Sequence, residues 1–131
     1  MGDLGDKMKL YVLGTGHATV LNNYNTCFCL ERNNKYLLVD AGGGKQILKQ
    51  LKDINLDLNQ IDSAFITHNH TDHLLGFAWI VRTSIYEYLK GHRTTPLTIY
   101  GSEECLKAIS DICKITLADL WEKMLKEKFV K

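Results

Sequence analysis

The sequence predicts an α/β fold in which helices cover a mixed β-sheet. Three short apolar runs in the first forty residues have the length and spacing of a meander of strands. Farther along, two more strand patterns alternate with segments whose apolar residues recur at helical spacing. A meander followed by this alternation indicates a sheet with both antiparallel and parallel neighbours. We expect the three or four predicted helices to cover one face of the sheet at most.

The individual elements follow from local patterns. The strands are predicted, in chain order, at residues 9–13, 26–31, 35–40, 63–67 and 97–100. The polar turn Arg32-Asn33-Asn34 joins the second and third strands as a hairpin. Helices are predicted at residues 45–52, 74–89, 103–114 and 117–129, and Ser102 is the N-cap of the third. In the linker 56–61 we expect a helical turn capped at Asn59.

The composition is that of an ordinary folded domain. The chain has 131 residues, of which 45% are hydrophobic and 24% charged, and its formal net charge is +1. Because this charge gives no bulk attraction to a polyanion, a nucleic acid would have to bind at a local patch. The best such patch, Lys90 with Arg93, is small and is interpreted as a solvated loop. Nucleic acid stays open as a substrate, but the charge does not indicate it.

The cellular compartment is predicted from what the sequence lacks. No segment approaches the roughly 20 apolar residues of a membrane span. The N-terminal M-G-D-L-G-D-K has acids where a signal peptide has a basic region and an apolar core. We therefore expect a cytoplasmic protein with no membrane partner. Its four cysteines lack C-x-x-C spacing and are expected to be buried, reduced thiols: Cys27, Cys29, Cys105 and Cys113.

Two glycine-rich stretches invite a nucleotide-binding interpretation that their spacing excludes. After the G-T-G at 14–16, a dinucleotide fingerprint needs a third glycine where this chain has Thr19. The G-G-G-K at 42–45 would need glycine at Val39 and a hydroxyl residue at Gln46 to be a phosphate loop. Both stretches are interpreted as tight turns at strand ends.

The strongest functional signal is the stretch T-H-N-H-T-D-H-L-L-G at 67–76. Three of the five histidines in the chain, His68, His70 and His73, lie within six positions, together with Asp72. At the end of an extended strand, side chains two residues apart point the same way, so His68 and His70 can chelate one ion. The following turn can direct Asp72 and His73 towards a second ion. Grouping these side chains is unfavourable unless a cation compensates.

This ligand set predicts the metal and the chemistry. Imidazole and carboxylate ligands suit one or two zinc ions, with manganese or iron as alternatives. Zinc lowers the pKa of a bound water to about 7, so a nucleophile exists at neutral pH. Two ions about 3.5–4 Å apart can stabilise both the attacking and the leaving oxygen of a displacement.

The run H-N-H-T-D-H matches the His-x-His-x-Asp-His signature of the metallo-β-lactamase superfamily, which the chain therefore resembles. The opening L-G-T-G-H-A, the later Asn25-Thr26 and the run D-A-G-G-G-K-Q are similar to the branch that contains ribonuclease Z and related phosphodiesterases and arylsulfatases. The resemblance implies that residues 1–131 form a single, partial domain, the N-terminal half of an αββα sandwich.

The resemblance also assigns roles to residues. His68 and His70 would bind the first metal ion, and Asp72 and His73 the second. Asp72 would in addition be catalytic, through proton transfer. Asp40, which ends K-Y-L-L-V-D, would hold the metal-binding loop in shape without binding the ion.

The later ligands of the family have no counterpart in this chain. The one histidine after the motif, His92, is expected in a surface loop, and Asp111 and Asp119 lie in helical runs. The missing half would supply a second sheet, so we expect an apolar sheet face to be left bare and a homo-oligomer to cover it.

The resemblance implies a metal-dependent hydrolase in which a metal-bound hydroxide attacks a phosphodiester-type or other small-molecule substrate. The present chain is expected to be truncated and weakly active or inactive. Two alternatives stay open: a lactam or thioester hydrolase of the same superfamily, and a non-catalytic half-domain that binds a metal or a partner.

Overall fold

The computed structural model describes residues 7–16, 24–68 and 70–131, with the backbone alone at Thr71 and Asp72. One five-stranded mixed sheet has the spatial order β1-β2-β3-β4-β5. Its strands are β1 (Lys9–Gly14), β2 (Cys27–Arg32), β3 (Lys35–Val39), β4 (Ile61–Phe65) and β5 (Thr98–Tyr100). The helices are α1 (Gln46–Asp53), α2 (Thr71–Leu89), α3 (Glu103–Leu117) and α4 (Asp119–Lys126), with a 3₁₀ turn at Leu58–Gln60. The predicted α/β fold is confirmed.

The sheet changes from antiparallel to parallel pairing at β3. Strands β1, β2 and β3 pair antiparallel, whereas β3 pairs parallel with β4, and β4 parallel with β5. Asn33 and Asn34 have φ values of 55° and 63°, the left-handed conformation that a two-residue hairpin turn requires. The predicted hairpin is therefore confirmed. The parallel pair β3–β4 brings the ends of both strands to the same edge of the sheet.

One face of the sheet is buried against the helices. Cys27, Cys29 and Leu38 point to this face and join the core with helix residues such as Phe77 and Ile109. All four cysteines are buried free thiols, as expected. Burial raises the pKa of Cys27, Cys29 and Cys113 to about 12, so these thiols stay protonated at neutral pH.

The opposite face of the sheet is apolar and largely uncovered by the described residues. Leu10 is 60% exposed, Val12 55%, Tyr100 52% and Phe65 40%. The strand register places them on one surface with Phe28, Leu30 and Leu37. We call these seven residues the open sheet face. No helix among the described residues combines the length and apolarity needed to cross a bilayer.

Several predicted boundaries and caps were wrong. Helix α2 begins at Thr71, three residues earlier than predicted, because the His73 and Leu74 amides both donate to the His70 carbonyl at 2.9 Å. The 3₁₀ turn is capped by Asp57, not Asn59, since the Asp57 carboxylate accepts the Asn59 amide hydrogen at 2.9 Å. Strand β4 lies two residues earlier than predicted, because the Thr67 amide donates to the Asp40 carboxylate instead of extending the ladder. Helix α3 reaches Leu117, where Ala118 with φ 50° separates it from α4.

The end of the chain also differs from its prediction. The last helix ends at Lys126 rather than 129. Lys128, with φ 60°, turns the backbone, and Val130 then pairs beside Leu97. Val130 is 4% exposed, so burial of this side chain favours strand pairing over one more helical turn.

Arg93 is a structural residue rather than part of a solvated basic patch. Its side chain is 1% exposed and forms an ion pair with Asp62 at 3.2 Å. Its guanidinium donates to acceptors from separate parts of the chain: Leu58 O, Ile61 O, Asp62 Oδ1, Ser84 Oγ, Thr95 O and Pro96 O. Arg93 thereby joins the 3₁₀ turn, β4, α2 and the loop before β5, and the predicted solvated position was wrong.

We expect Arg93→Lys to lower the free energy of unfolding by about 3 kcal/mol, because an ammonium group cannot replace the planar guanidinium and leaves buried carbonyls unpaired. Guanidinium chloride unfolding would measure this loss. The matched control is Arg82→Lys on the exposed side of α2, where we expect a change within about 0.5 kcal/mol. Equal effects of the two substitutions would contradict the structural role of Arg93.

Candidate metal centre

The centre lies where the parallel strands β3 and β4 end. Asp40 directly follows β3, and Thr67 and His68 follow β4. The Asp40 amide donates to the Phe65 carbonyl at 2.9 Å, which holds the two strand ends side by side. His70 is the N-cap of α2 in an extended conformation, with φ −72° and ψ 153°. The fold therefore brings two loop segments and the start of a helix together at one sheet edge.

Asp40 connects these segments through its carboxylate. The residue is 4% exposed and has φ 59°, a left-handed conformation that aspartate tolerates better than most residues. Its Oδ1 accepts the Thr67 amide hydrogen at 2.9 Å, and its Oδ2 accepts the Thr67 hydroxyl at 2.7 Å. The Oδ2 atom also lies 2.9 Å from His73 Nδ1. The three contacts fix the position of Thr67 and His73 relative to β3.

The imidazoles of the cluster lie in direct contact. The ring centroids of His68 and His73 are 3.9 Å apart with an interplanar angle of 46°, and those of His68 and His70 are 4.7 Å apart at 82°. Asp40, His68 and His73 each offer one ligand atom, and these atoms lie within 4.8 Å of one another. The two imidazoles thus lie close enough to take part in one metal centre, where zinc–nitrogen distances are about 2.0–2.1 Å, with the Asp40 carboxylate beside them.

The described contacts bring together three of the four predicted ligands. His68 and His73 belong to the close group, and His70 contacts the ring of His68. Asp72 lies in the first turn of α2, but its side chain is outside the described residues. His17, in the run L-G-T-G-H-A, is outside them as well. The assignment of each ligand to a particular ion stays a prediction.

A glycine loop at residues 42–44 supports the centre. The carbonyl of Gly42 accepts the Gly76 amide hydrogen at 2.7 Å, which ties the loop to the second turn of α2. A Cβ atom at Gly76 would lie 1.9 Å from the Ala41 carbonyl oxygen, so any side chain there would push the helix away. The close approach of two backbones explains the glycine at 76, a position that no sequence pattern singled out.

Tyr24 holds the same loop from the other side. Its hydroxyl lies 2.6 Å from the Ala41 carbonyl oxygen and 2.8 Å from that of Gly44. Burial raises the pKa of Tyr24 to about 12, so the hydroxyl keeps its proton and remains a donor at neutral pH. The Asn25 side chain accepts the Gly43 amide hydrogen at 3.0 Å. Sequence patterns missed Tyr24, because a lone tyrosine carries no motif.

His92 and the two later aspartates lie apart from the centre. His92 follows α2 at its far end, about 28 Å along the helix from the histidine cluster. Its ring is 59% exposed and lies 3.2 Å from the Glu87 carboxylate, so the predicted surface position is confirmed. Asp111 forms an exposed ion pair with Lys107, and Asp119 begins α4.

Comparison with known proteins places this geometry in a family. A family model described as anti-Pycsar protein Apyc1 matches residues 8–130. Ribonuclease Z of Nitrosopumilus maritimus is 37% identical over 95 residues, which are 72% of this chain and 30% of that protein. Ribonuclease Z of Methanococcus aeolicus is 32% identical over 109 residues, or 82% of this chain and 32% of that protein.

Solved structures share the fold. The human short form of tRNase Z matches with a TM-score of 0.70 and 24% identity, over 87% of this chain and 41% of that one. A metallo-β-lactamase fold protein of Bacillus subtilis, YhfI, matches with a TM-score of 0.63 and 24% identity, over 75% of this chain and 39% of that one.

The chain spans about a third of the length of the curated relatives that it matches. The similarity covers the strand ends that carry Asp40 and the histidine cluster, since the family model extends across 8–130. The chain belongs to the anti-Pycsar protein Apyc1 family, is similar in sequence to ribonucleases Z over most of its own length, and shares the fold of metallo-β-lactamase fold proteins.

Proposed function

We propose that this chain is the metal-binding part of a metal-dependent hydrolase that cleaves phosphodiesters. The observation that carries the proposal is the close group of Asp40, His68 and His73 at the edge where β3 and β4 end. Relatives named ribonuclease Z support a phosphodiester substrate. A solved structure described as a new diphosphatase from the PhnP family shares the fold at 19% identity.

In this proposal His68, His70, Asp72 and His73 bind the metal, and Asp40 supports them without binding it. Three hydrogen bonds from Thr67 and His73 already use most of the acceptor capacity of the Asp40 carboxylate. A carboxylate that accepts the Nδ1–H of a histidine leaves Nε2 of that ring to bind a metal, an arrangement common at zinc sites. Zinc is the ion that this donor set favours, with manganese or iron as alternatives.

The protein groups then act around the ion. A bound ion would supply Lewis-acid activation and a nucleophilic water at neutral pH. Asp40 orients His73 by the contact between its Oδ2 and Nδ1. The Tyr24 hydroxyl and the Gly42–Gly76 hydrogen bond hold the loop that carries Asp40 against α2. For Asp72, in the first turn of that helix, we propose that its ionised carboxylate accepts a proton from the attacking water and passes that proton to the leaving oxygen.

The charge distribution favours a small phosphodiester over RNA. The net charge is +1, and the buried Arg93 does not contribute a basic patch. Binding of RNA draws on several lysine or arginine contacts to phosphates. A compact substrate with one phosphodiester needs only the metal and a few polar groups for recognition.

Zinc binding tests the ligand assignment. We expect His68→Ala to weaken zinc binding at least about 100-fold, because it removes a ligand from the centre of the imidazole cluster. Competition with a chromogenic chelator would measure the affinity. His92→Ala is the matched control and should leave the affinity unchanged, since His92 lies at the far end of α2. Equal zinc affinity in the two variants would refute the assignment.

Turnover of bis-p-nitrophenyl phosphate separates a catalyst from a binding half-domain. In the described part of the chain the close group consists of His68 and His73 with the supporting carboxylate of Asp40, whereas a two-ion site needs more ligands. We therefore expect the isolated, zinc- or manganese-loaded chain to bind metal but to release little nitrophenolate. Robust turnover that His68→Ala abolishes would overturn the expected weak activity. A chain that binds no metal would overturn the proposed function itself.

The proposal includes self-association through the open sheet face. Its seven residues form a continuous apolar surface, and exposed apolar patches beyond a few hundred Å² favour association. A second copy could pack its own open sheet face on the first, because two sheets stack face to face at about 10 Å.

Light scattering after size exclusion at micromolar concentration would test this interface. We expect a dimer or larger assembly that Leu10→Lys converts to monomer, because the substitution places a charge in the apolar surface. Ile115→Lys is the matched control: Ile115 is 81% exposed on α3, away from the open sheet face. A monomeric wild-type chain would rule out this interface.

A further inference from the structure

The hydroxyl of Thr67 lies between two groups of the metal centre. Its Oγ1 is 2.7 Å from Asp40 Oδ2 and 2.8 Å from His68 Nδ1. The backbone amide of Thr67 also donates to the other oxygen of Asp40, at 2.9 Å. Thr67 is therefore bound to the carboxylate at two points, which fixes the direction of its side chain.

The single hydroxyl proton of Thr67 determines the direction of both contacts. If it pointed to His68, the Thr67 oxygen and the ionised Asp40 oxygen would face each other at 2.7 Å without a proton between them. Two acceptors at that distance repel, and a buried carboxylate without its donors is costly. The proton must therefore lie towards Asp40. His68 then donates its Nδ1–H to the Thr67 oxygen, because a hydroxyl oxygen can still accept.

The same carboxylate thus acts on two imidazoles. It accepts the Nδ1–H of His73 directly, at 2.9 Å, and it polarises the Nδ1–H of His68 through the Thr67 hydroxyl. A neutral imidazole with its proton on Nδ1 carries its lone pair on Nε2. Both rings then present Nε2 as the metal-binding nitrogen.

We propose that Thr67 is a positioning residue that fixes the tautomer and orientation of His68 for metal binding. Its hydroxyl donates to Asp40 and accepts from His68 Nδ1–H, and we call this pair of hydrogen bonds the relay. The inference rests on the proposed function in taking His68 as a ligand. Helix capping does not explain the hydroxyl, since the N-cap of α2 is His70, three residues later. Apolar packing does not explain it either, because Thr67 is exposed.

Thr67→Val and Thr67→Ser test the relay as a pair. Valine has nearly the shape of threonine but no hydroxyl, and its amide still donates to Asp40. Serine keeps the hydroxyl. Long-range ¹H–¹⁵N NMR of the metal-free protein, at a pH where the imidazoles are neutral, distinguishes a ring protonated on Nδ1 from one protonated on Nε2. We expect Nδ1–H at His68 in the wild-type protein and Thr67→Ser, and a shift towards Nε2–H in Thr67→Val.

Zinc affinity is the second measurement. Loss of a group that orients a metal ligand costs about 10- to 100-fold in affinity, so we expect at least a 10-fold loss in Thr67→Val. Thr67→Ser should retain most of the wild-type affinity, which a purely steric role for the threonine methyl group would not predict.

The outcomes separate this inference from the proposed function. An Nε2–H tautomer at His68 in the wild-type protein would overturn the relay without any variant. So would Thr67→Val with unchanged tautomer and unchanged zinc affinity. The expected tautomers in a protein that binds no zinc would support the relay and refute the proposed function.

Discussion

The hydrogen bonds of one buried carboxylate hold the candidate metal centre together. Asp40 ends β3, and its oxygens contact the Thr67 amide and hydroxyl after β4 and the His73 ring on α2. An ionised carboxylate in a buried position is unfavourable unless donors compensate for the lost water. Since the three donors come from a loop and a helix that are separate in sequence, the carboxylate is satisfied only when all these parts are in place. The sheet edge where β3 and β4 end therefore folds together with the candidate site.

The surrounding loop contributes rigidity rather than ligands. The Tyr24 hydroxyl contacts the carbonyls of Ala41 and Gly44, and the Asn25 side chain contacts the Gly43 amide. These contacts satisfy backbone groups of a glycine-rich segment that would otherwise be conformationally free. The entropy cost of ordering the loop is thus met during folding and not during metal binding.

The elements and the site differed in how far the sequence could predict them. Strand alternation, the Asn33-Asn34 turn and the Ser102 cap are local signals, and each was confirmed. The burial of Arg93 was missed because its acceptors, such as Leu58 and Ser84, come from distant segments. The pairing of the last residues beside β5 depends on the folded sheet, which no local pattern encodes.

The same distinction applies to the candidate centre. The histidine cluster was visible because its members are neighbours in the sequence. Asp40 was recognised through the family resemblance alone, because 27 positions separate it from Thr67. The role of the Thr67 hydroxyl depends on the direction of one proton between two residues. The direction of that proton follows from contacts in the folded structure and cannot be derived from the sequence.

The contact between α2 and the glycine loop limits which residues position 76 can carry. Gly76 donates its amide hydrogen to Gly42, and a Cβ atom at Gly76 would overlap the Ala41 carbonyl. The spacing between His73 and Asp40 is therefore set by two peptide groups in direct contact. A single methyl group at position 76 would separate the His73 ring from the Asp40 carboxylate while leaving both groups chemically intact. The geometry of the candidate centre therefore depends on the absence of a side chain at position 76 as much as on the imidazoles themselves.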